Sequence, residues 1–325
     1  MRIAINGFGR IGRSILRALC TTRQDTGIEV VAINDIAAPD LCAYLFEFDS
    51  VFGPFPGVVA LDGTGLVIDG RRIALHRQAN LSAVNLGGVD LVLECTGKAD
   101  TRDVAERGLR AGAARVLISG PSGAADATVV LGANDAVIGD QVILSNASCT
   151  TNAVAPLLAV LDRSFGVVQG HMTTIHCYTG SQPMIDAPRG DFARSRAGAL
   201  SMVPTTTSAT ALIGLVLPHL AGRVTGAAVR VPVASVSAID LVVRLGGTTD
   251  RAAVVAALRD AVGDVLGWTE RPLVSCDLRA RPESLVIAGL ELMVQHDGMA
   301  RIFGWYDNEW GFSNRMIDMA QRLAH

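Results

Sequence analysis

Short apolar runs alternate with segments of helical periodicity in the first half of the chain. Four of these runs have the length of buried β-strands: 2–5, 28–33, 89–94 and 115–118. Helix-like patterns separate them, as at 101–110. Strands that alternate with helices are typical of a parallel, doubly wound α/β sheet, whose ligands bind beyond the carboxyl ends of the strands. We therefore predict a domain of this kind over residues 1–148.

The pattern changes after residue 148. A helix-like apolar run at 153–161 is followed by segments in which Thr, Val and Ile alternate, which indicates β-strands. These segments lie at 167–178, 226–233, 237–245 and 273–276. An amphipathic helix is predicted over 250–265. We expect a second, α+β domain over 149–311 with a mainly antiparallel sheet.

Composition narrows the class of protein. The 325 residues are enough for two domains, and a hydrophobic share of 50% excludes a disordered chain. A net charge of −3 provides no basic field, so nucleic acid is not an expected partner. We see no signal peptide and no apolar run of about 18 residues, so we expect a cytoplasmic protein without membrane contact. The six cysteines form no C-x-x-C pair, which predicts neither a disulfide framework nor a metal site.

The segment S-N-A-S-C-T-T-N at 145–152 is the clearest candidate for chemistry. An apolar run at 141–144 precedes it and a helix-like run follows, so Cys149 is predicted to lie where a strand turns into a helix. A helix N-terminus favours an anion, so this thiol is expected to lose its proton near neutral pH. A single Cys is more often a small buried hydrophobic residue, but the polar neighbours Ser148 and Thr150 favour a nucleophile.

A nucleophile of this kind needs a base, and His176 is the candidate. It ends an apolar, strand-like run at 171–176. A Cys and a His that are distant in sequence and adjacent in space are the expected form of such a site. A lone His is more often structural, so the assignment of His176 depends on Cys149.

The segment N-G-F-G-R-I-G at 6–12 contains the pattern G-x-G-x-x-G between a strand and a helix. In this context Gly7 permits a tight turn, Gly9 lets the backbone approach a pyrophosphate, and Gly12 allows helix and strand to pack closely. Asp35 follows 23 residues after Gly12, where an acid binds the adenosine ribose hydroxyls and repels a 2′-phosphate. We predict NAD rather than NADP, with a helix-capping role for Asp35 as the alternative.

Three motifs together resemble those of phosphorylating glyceraldehyde-3-phosphate dehydrogenase: residues 6–12, residues 145–152, and W-Y-D-N-E-W-G at 305–311. The resemblance covers essentially the whole chain. It implies a Rossmann NAD-binding domain, completed by a C-terminal helix at 312–325, and a catalytic domain. It also implies a homotetramer, in which the long polar loop at 179–196 packs across a subunit interface. The implied reaction oxidises a small phosphorylated aldehyde with inorganic phosphate, through a thioester on Cys149 and with His176 as general base.

The same resemblance assigns binding residues. Those implied to line the dinucleotide are Gly7, Phe8, Gly9, Arg10, Ile11, Gly12, Asp35, Thr96, Gly97, Ser119 and Asn308. Among them, Asn308 is implied to hold the nicotinamide carboxamide. Those implied to bind the substrate phosphate or the attacking phosphate are Thr179, Arg230, Ser148, Thr150, Thr207 and Ser208.

Departures from the family pattern leave the substrate open. Ser181 stands where the family usually has Asp, and Ser208 stands where it has Gly. An erythrose-4-phosphate dehydrogenase and an arsenate-using relative are therefore alternatives, and Ala187 leaves tolerance of NADP open. From a different class, the alternative is a non-enzymatic binding or regulatory protein on the same fold.

Overall fold

Two units, each with one large sheet, make up the part of the chain that is described. In this computed structural model the described residues are 1–324. The first unit comprises residues 1–129, 136–147 and the chain from 313 onward. The second unit comprises residues 130–135 and 148–312. The predicted C-terminal helix extended to residue 325, which lies outside the described residues.

Nine strands form the sheet of the first unit. They are β1 (Arg2–Asn6), β2 (Glu29–Asn34), β3 (Val59–Asp62), β4 (Gly65–Ile68), β5 (Arg71–His76), β6 (Leu91–Glu94), β7 (Arg115–Ile118), β8 (Ala127–Thr128) and β9 (Ile143–Ser145). Their order is β3-β4-β5-β2-β1-β6-β7-β9-β8. All neighbours from β5 to β8 are parallel, whereas β3 and β4 form an antiparallel edge. The parallel, doubly wound sheet predicted from the sequence is confirmed.

The winding of this sheet reverses at β1, with β2 on one side and β6 on the other. The carboxyl ends of these three strands therefore meet at the topological switch point, where such sheets bind ligands. The strand interiors are apolar and fully buried, as at Ile3, Leu91 and Leu93. Burial of both faces explains why these strands are continuous apolar runs in the sequence.

The helices of the first half are α1 (Arg10–Cys20), α2 (Pro39–Glu47), α3 (Arg102–Ala105) and α4 (Arg107–Arg110). The last two are successive pieces of the helix predicted at 101–110. They are separated at Glu106, whose ψ of −6° departs from regular helix geometry. The helix was therefore placed correctly, but its irregular turn was not predicted.

The second unit combines helices with a mixed sheet. Its elements are α5 (Cys149–Phe165), β10 (Val167–Cys177), β11 (Val203–Thr205), α6 (Ala209–Val216), β12 (Val224–Val231), β13 (Ser237–Leu245), α7 (Arg251–Asp260), β14 (Leu266–Thr269), β15 (Leu285–Ala288), β16 (Met293–Val294) and β17 (Met299–Tyr306). The sheet order is β11-β12-β10-β13-β17-β15-β14, with β16 beside β17. The pairs β10/β12 and β14/β15 are parallel and the others antiparallel, so the mainly antiparallel prediction is confirmed.

One predicted strand of the second unit is wrong. Residues 273–276 were expected to be extended, but Ser275–Leu278 form a 3₁₀ turn. The carboxylate of Asp277 accepts a hydrogen bond of 2.9 Å from the backbone N–H of Val274. This side-chain bond closes a local turn that competes with strand pairing.

The final helix, α8 (Trp310–Leu323), belongs to the first unit from Ser313 onward. Arg23 donates to the side chains of Asn314 at 3.1 Å, Asp318 at 2.6 Å and Gln321 at 3.0 Å. Charge-assisted bonds of this kind are stronger than neutral ones. One arginine after α1 therefore holds three positions along the end of the chain.

Two negative findings apply to residues 1–324 alone. None of the helices there combines the length and the apolar character that a membrane crossing requires. Within the same residues, no three His, Cys, Asp or Glu side chains are grouped so that they could hold a metal ion.

Candidate active site

Cys149 is the first residue of α5, immediately after the N-cap residue Ser148. The Ser148 hydroxyl accepts a hydrogen bond of 3.1 Å from the backbone N–H of Thr151, which caps the helix. Just before the helix, Ala147 has a φ of +52°, a left-handed conformation that is unfavourable for a residue with a Cβ atom. The predicted position of Cys149, at a turn from strand to helix, is confirmed.

His176 lies beside this thiol. Its Nε2 atom is 3.7 Å from the Sγ atom of Cys149, within hydrogen-bonding distance for sulfur. The imidazole is 5% exposed and sits near the end of β10. The structure thus brings together two residues that are 27 positions apart in the sequence.

Two groups converge on the other ring nitrogen of His176. Nδ1 lies 2.7 Å from the carbonyl oxygen of Cys177, and Nη1 of Arg230 lies 3.0 Å from the same oxygen and 2.9 Å from Nδ1. A carbonyl only accepts and a guanidinium only donates. We infer that Nδ1–H donates to the carbonyl oxygen, since a carbonyl can accept from both Nδ1–H and Arg230; the lone pair of Nε2 then faces the sulfur. In this tautomer, His176 is arranged as a base.

Burial decides the charge of this pair. It lowers the pKa of His176 to about 4, with a further contribution from the positive charge of Arg230. Burial also raises the pKa of the Cys149 thiol, although Arg230 and hydrogen bonds from Thr150 oppose this increase. Burial and the groups around the sulfur therefore act on the thiol in opposite directions, and the expectation of a thiolate near neutral pH stays a prediction. The positive charge of Arg230 is the largest contribution that favours the thiolate.

Tyr306 supports the site, a role that the sequence analysis did not identify. Its hydroxyl lies 3.0 Å from Thr150 Oγ1 and 2.8 Å from Thr174 Oγ1. Its ring meets the imidazole of His176 edge-on, with centroids 6.0 Å apart. Burial raises the pKa of the Tyr306 hydroxyl, which therefore remains neutral. The motif at 305–311 contained this residue, but only the contact partners identify its function.

A cavity of about 520 Å³ opens beside Cys149 and His176. Five of the predicted phosphate-binding residues line it: Ser148, Thr150, Thr207, Ser208 and Arg230. Arg194 and Thr206 complete much of the wall, and the Nε atom of Arg194 donates to Thr205 Oγ1 at 2.6 Å. Guanidinium groups and hydroxyls are suited to phosphate oxygens, so the cavity can accept an anion.

Thr179 differs from the other predicted phosphate residues. It lies outside the lining described for this cavity. Its hydroxyl instead lies 2.9 Å from that of Ser181. The predicted contact of Thr179 with a phosphate therefore stays a prediction.

The first unit contains a separate cleft at the ends of β1, β2 and β6. It is lined by Gly7, Gly9, Asp35 and Thr96 among the predicted cofactor residues. Gly7 has a φ of +93°, and a Cβ atom there would lie 2.7 Å from the backbone of Thr96. By contrast, a Cβ atom at Gly9 would have no neighbour within 4 Å, and this N-cap of α1 has no side-chain cap. Such a free helix N-terminus fits a pyrophosphate.

Asp35 fixes the glycine-rich turn. One carboxylate oxygen accepts a hydrogen bond of 2.6 Å from the backbone N–H of Phe8, and the other accepts one of 2.9 Å from Ala37. The next helix, α2, has Ala38 as its N-cap, so the helix-capping alternative for Asp35 is wrong. The carboxylate lines the cleft while it holds the turn.

The remaining predicted cofactor residues of this unit lie outside the described lining of the cleft: Phe8, Arg10, Ile11, Gly12, Gly97 and Ser119. The Phe8 side chain is 2% exposed and stacks on Phe46, with ring centroids 6.0 Å apart. The guanidinium of Arg10 forms an ion pair with Asp49. Gly12 approaches the chain closely, since a Cβ atom there would lie 2.3 Å from the carbonyl oxygen of Gly7. The contacts of Phe8, Arg10 and Gly12 therefore fix the shape of the glycine-rich turn.

A buried polar network beneath the cleft was not predicted. Asn34 donates to Asn6 Oδ1 at 2.8 Å, and Asn6 in turn donates to Glu94. Glu94 also accepts a hydrogen bond of 2.9 Å from the backbone N–H of Thr96. The signal was present in the sequence, because β1, β2 and β6 each end in a polar residue.

Asn308, the last predicted cofactor residue, lies in the second unit and is 7% exposed. Its Oδ1 atom lies 3.1 Å from the Sγ atom of Cys177.

Family comparisons agree with these two sites. The model described as "Glyceraldehyde 3-phosphate dehydrogenase, NAD binding domain" matches residues 1–102. The model described as "Glyceraldehyde 3-phosphate dehydrogenase, C-terminal domain" matches residues 148–308. The first matched segment contains the glycine-rich turn and Asp35, and the second contains the Cys149–His176 pair.

Similar proteins cover the whole chain. A glyceraldehyde-3-phosphate dehydrogenase of Pseudomonas aeruginosa is 48% identical over 330 residues, with 100% of this chain and 98% of the relative covered. One from Kitasatospora aureofaciens is 46% identical, with 99% of each chain covered. Glyceraldehyde-3-phosphate dehydrogenase 1 of Bacillus subtilis is 41% identical, with 100% and 98% covered.

The cleft generates a prediction about cofactor choice. Asp35→Asn keeps an oxygen that can accept the Phe8 N–H but removes the charge that repels a 2′-phosphate. We expect the ratio of kcat/KM for NADP to that for NAD to rise about tenfold or more, since each factor of ten requires only about 1.4 kcal/mol. Steady-state kinetics with both cofactors measures this ratio. Asp40→Asn, a change at an exposed residue of α2, is the control. An unchanged kcat/KM ratio in Asp35→Asn would contradict the role of the carboxylate.

A second prediction concerns Arg230. Its charge lowers the pKa of both Cys149 and His176, so Arg230→Met should raise both values. The pH profile for alkylation of Cys149 by iodoacetamide should then shift to higher pH, because less thiolate forms at a given pH. Peptide mapping by mass spectrometry follows Cys149 separately from the other cysteines. Arg194→Met removes a charge from the same cavity and should shift the profile less; equal shifts would refute the specific role of Arg230.

Proposed function

The chain belongs to the glyceraldehyde-3-phosphate dehydrogenase family, and we propose that Cys149 and His176 carry out its reaction here. That reaction is the NAD-dependent oxidation and phosphorylation of glyceraldehyde 3-phosphate to 1,3-bisphosphoglycerate. The observation that carries the assignment of these two residues is the 3.7 Å separation of Sγ and Nε2 beside an anion-accepting cavity.

The proposed chemistry begins with attack of the Cys149 sulfur on the aldehyde carbon. His176 Nε2 relays the thiol proton to the carbonyl oxygen, which gives a hemithioacetal. The same nitrogen then accepts the hydroxyl proton as the carbon is oxidised to a thioester. NAD, when bound, supplies the acceptor for the hydride. A phosphate oxygen attacks the thioester carbon, the C–S bond breaks, and the released sulfur takes back the proton held on Nε2 of His176.

We assign the anion-binding roles within the cavity to the residues of its lining. Arg230 binds the substrate phosphate. The attacking phosphate is bound or closely surrounded by Ser148, Thr150, Thr207 and Ser208. The support is their common location beside the sulfur. The Thr150 hydroxyl already bonds to Tyr306, so it is oriented before any anion arrives.

NAD fits the cleft of the first unit. Gly9 leaves space at the N-terminus of α1, whose uncapped N–H groups suit a pyrophosphate. Asp35 is the proposed ligand of the ribose hydroxyls, and Asn308 the proposed ligand of the nicotinamide carboxamide. The full set of predicted cofactor residues remains part of this proposal.

We also propose that the protein assembles as a homotetramer. The loop that begins at Thr179 carries apolar side chains that are between 74% and 99% exposed: Met184, Ile185, Phe192, Leu200 and Met202. Apolar surface of this kind marks an interaction site. Light scattering of the purified protein measures the mass of the assembly, and a monomer at micromolar concentration would contradict the proposal.

A cytoplasmic location is proposed from the chemistry of the sulfur. The reaction needs Cys149 as a reduced thiol, and the cytoplasm keeps thiols reduced. Fractionation of cells, with immunodetection of the protein, tests the location; recovery outside the cytoplasm would contradict it.

The activity itself is tested with a matrix of substrates. We expect NADH formation with glyceraldehyde 3-phosphate and phosphate, and loss of turnover by at least about 10³-fold in Cys149→Ser, because a hydroxyl is a far weaker nucleophile. NAD binding should remain. Cys20→Ala is the matched control for loss of a thiol and should keep full turnover.

The same matrix separates the alternatives. A preference for erythrose 4-phosphate, or for arsenate over phosphate, would replace the proposed substrate while leaving the mechanism intact. The names of the relatives favour the triose phosphate. If no combination of aldehyde and anion gives NADH, the proposal that the protein is a dehydrogenase is refuted.

A further inference from the structure

Cys177 is a buried thiol that the proposed chemistry does not use. It follows His176 directly, at the end of β10, and is 1% exposed. Its carbonyl oxygen holds Nδ1 of His176, whereas its Sγ atom lies 3.1 Å from Oδ1 of Asn308. One residue therefore contacts the catalytic base through its backbone and the proposed carboxamide ligand through its side chain.

We propose that Cys177 is a positioning residue that fixes the orientation of the Asn308 amide, so that Asn308 presents its N–H₂ group to the carboxamide oxygen of nicotinamide. This inference rests on the proposed contact between Asn308 and the cofactor. The inference adds that Asn308 is the donor in this contact and that Cys177 fixes the amide in the orientation that makes it so.

The direction follows from what each group can donate. Burial raises the pKa of the Cys177 thiol to about 12, so the sulfur keeps its proton at neutral pH. The S–H group can therefore donate, and its hydrogen bond runs to Asn308. The amide of Asn308 offers one acceptor, Oδ1, and that atom faces the sulfur. The Nδ2 group must then point the other way.

The environment leaves this choice to Cys177. Within residues 1–324, no other hydrogen bond is found for the Asn308 side chain. The Ser237 hydroxyl is a second neighbour of Cys177: it accepts from the backbone N–H at 3.1 Å, and it also hydrogen-bonds to the Cys177 side chain. Without the thiol, nothing described would distinguish the two amide orientations.

The two orientations predict different ligand preferences. An amide fixed with Nδ2 outward donates to any carbonyl at the 3-position of the pyridine ring, whether a carboxamide or an acetyl group. A rotated amide presents Oδ1, which can accept from a carboxamide N–H₂ but repels an acetyl oxygen. NAD and 3-acetylpyridine adenine dinucleotide therefore report the orientation, and ADP-ribose, which has no pyridine ring, reports the rest of the cofactor site.

The experiment compares the dissociation constants of these three ligands. In Cys177→Ala we expect the acetylpyridine analogue to lose about three- to tenfold in affinity relative to NAD, the range of one lost hydrogen bond. ADP-ribose binding should not change, which checks that the site is folded. Cys177→Ser restores an O–H donor and should restore the wild-type ratio, whereas a general packing defect would affect all ligands alike. Cys20→Ala is the control for loss of a thiol elsewhere.

Asn308→Ala separates failure of the inference from failure of the proposed cofactor contact. If this variant weakens NAD but Cys177→Ala leaves the ligand ratio unchanged, the role of Cys177 is refuted and the contact stands. If Asn308→Ala leaves NAD binding unchanged relative to ADP-ribose, the contact itself is refuted, and with it the inference.

Discussion

The parallel pairing of β10 with β12 is the constraint on which the active site depends. It places His176 in register with Arg230, and Thr174 in register with Ala228. Side chains at equal register in neighbouring strands project from the same face. The imidazole and the guanidinium are therefore brought together by backbone hydrogen bonds, in a sheet whose other central pairs are antiparallel. A shift of one residue would turn one of them to the opposite face.

The charge of Arg230 acts on both members of the Cys149–His176 pair. A positive charge 2.9 Å from Nδ1 disfavours an imidazolium, and burial acts in the same direction. The imidazole is therefore unprotonated at neutral pH, although the same effects make it a weaker base. The same charge favours the Cys149 thiolate against burial. Arg230 thus favours the thiolate form of Cys149 and the neutral form of His176, and it also lines the cavity beside them.

The sequence predicts what local patterns and motifs determine. The glycine turn, the doubly wound sheet and the start of α5 at Cys149 depend on residues close together in the chain, and each was found. The contacts of Tyr306 and Cys177 were missed because they join strands that are far apart in the chain. Thr150 and Tyr306, for example, are separated by 156 positions.

Cys177 divides its two functions between backbone and side chain. Its carbonyl oxygen, which holds His176 and accepts from Arg230, is present whatever residue occupies the position. Its thiol contacts Asn308 and is the only part that a substitution removes. The position of the His176 imidazole therefore does not depend on the side chain at position 177, whereas the orientation of the Asn308 amide does.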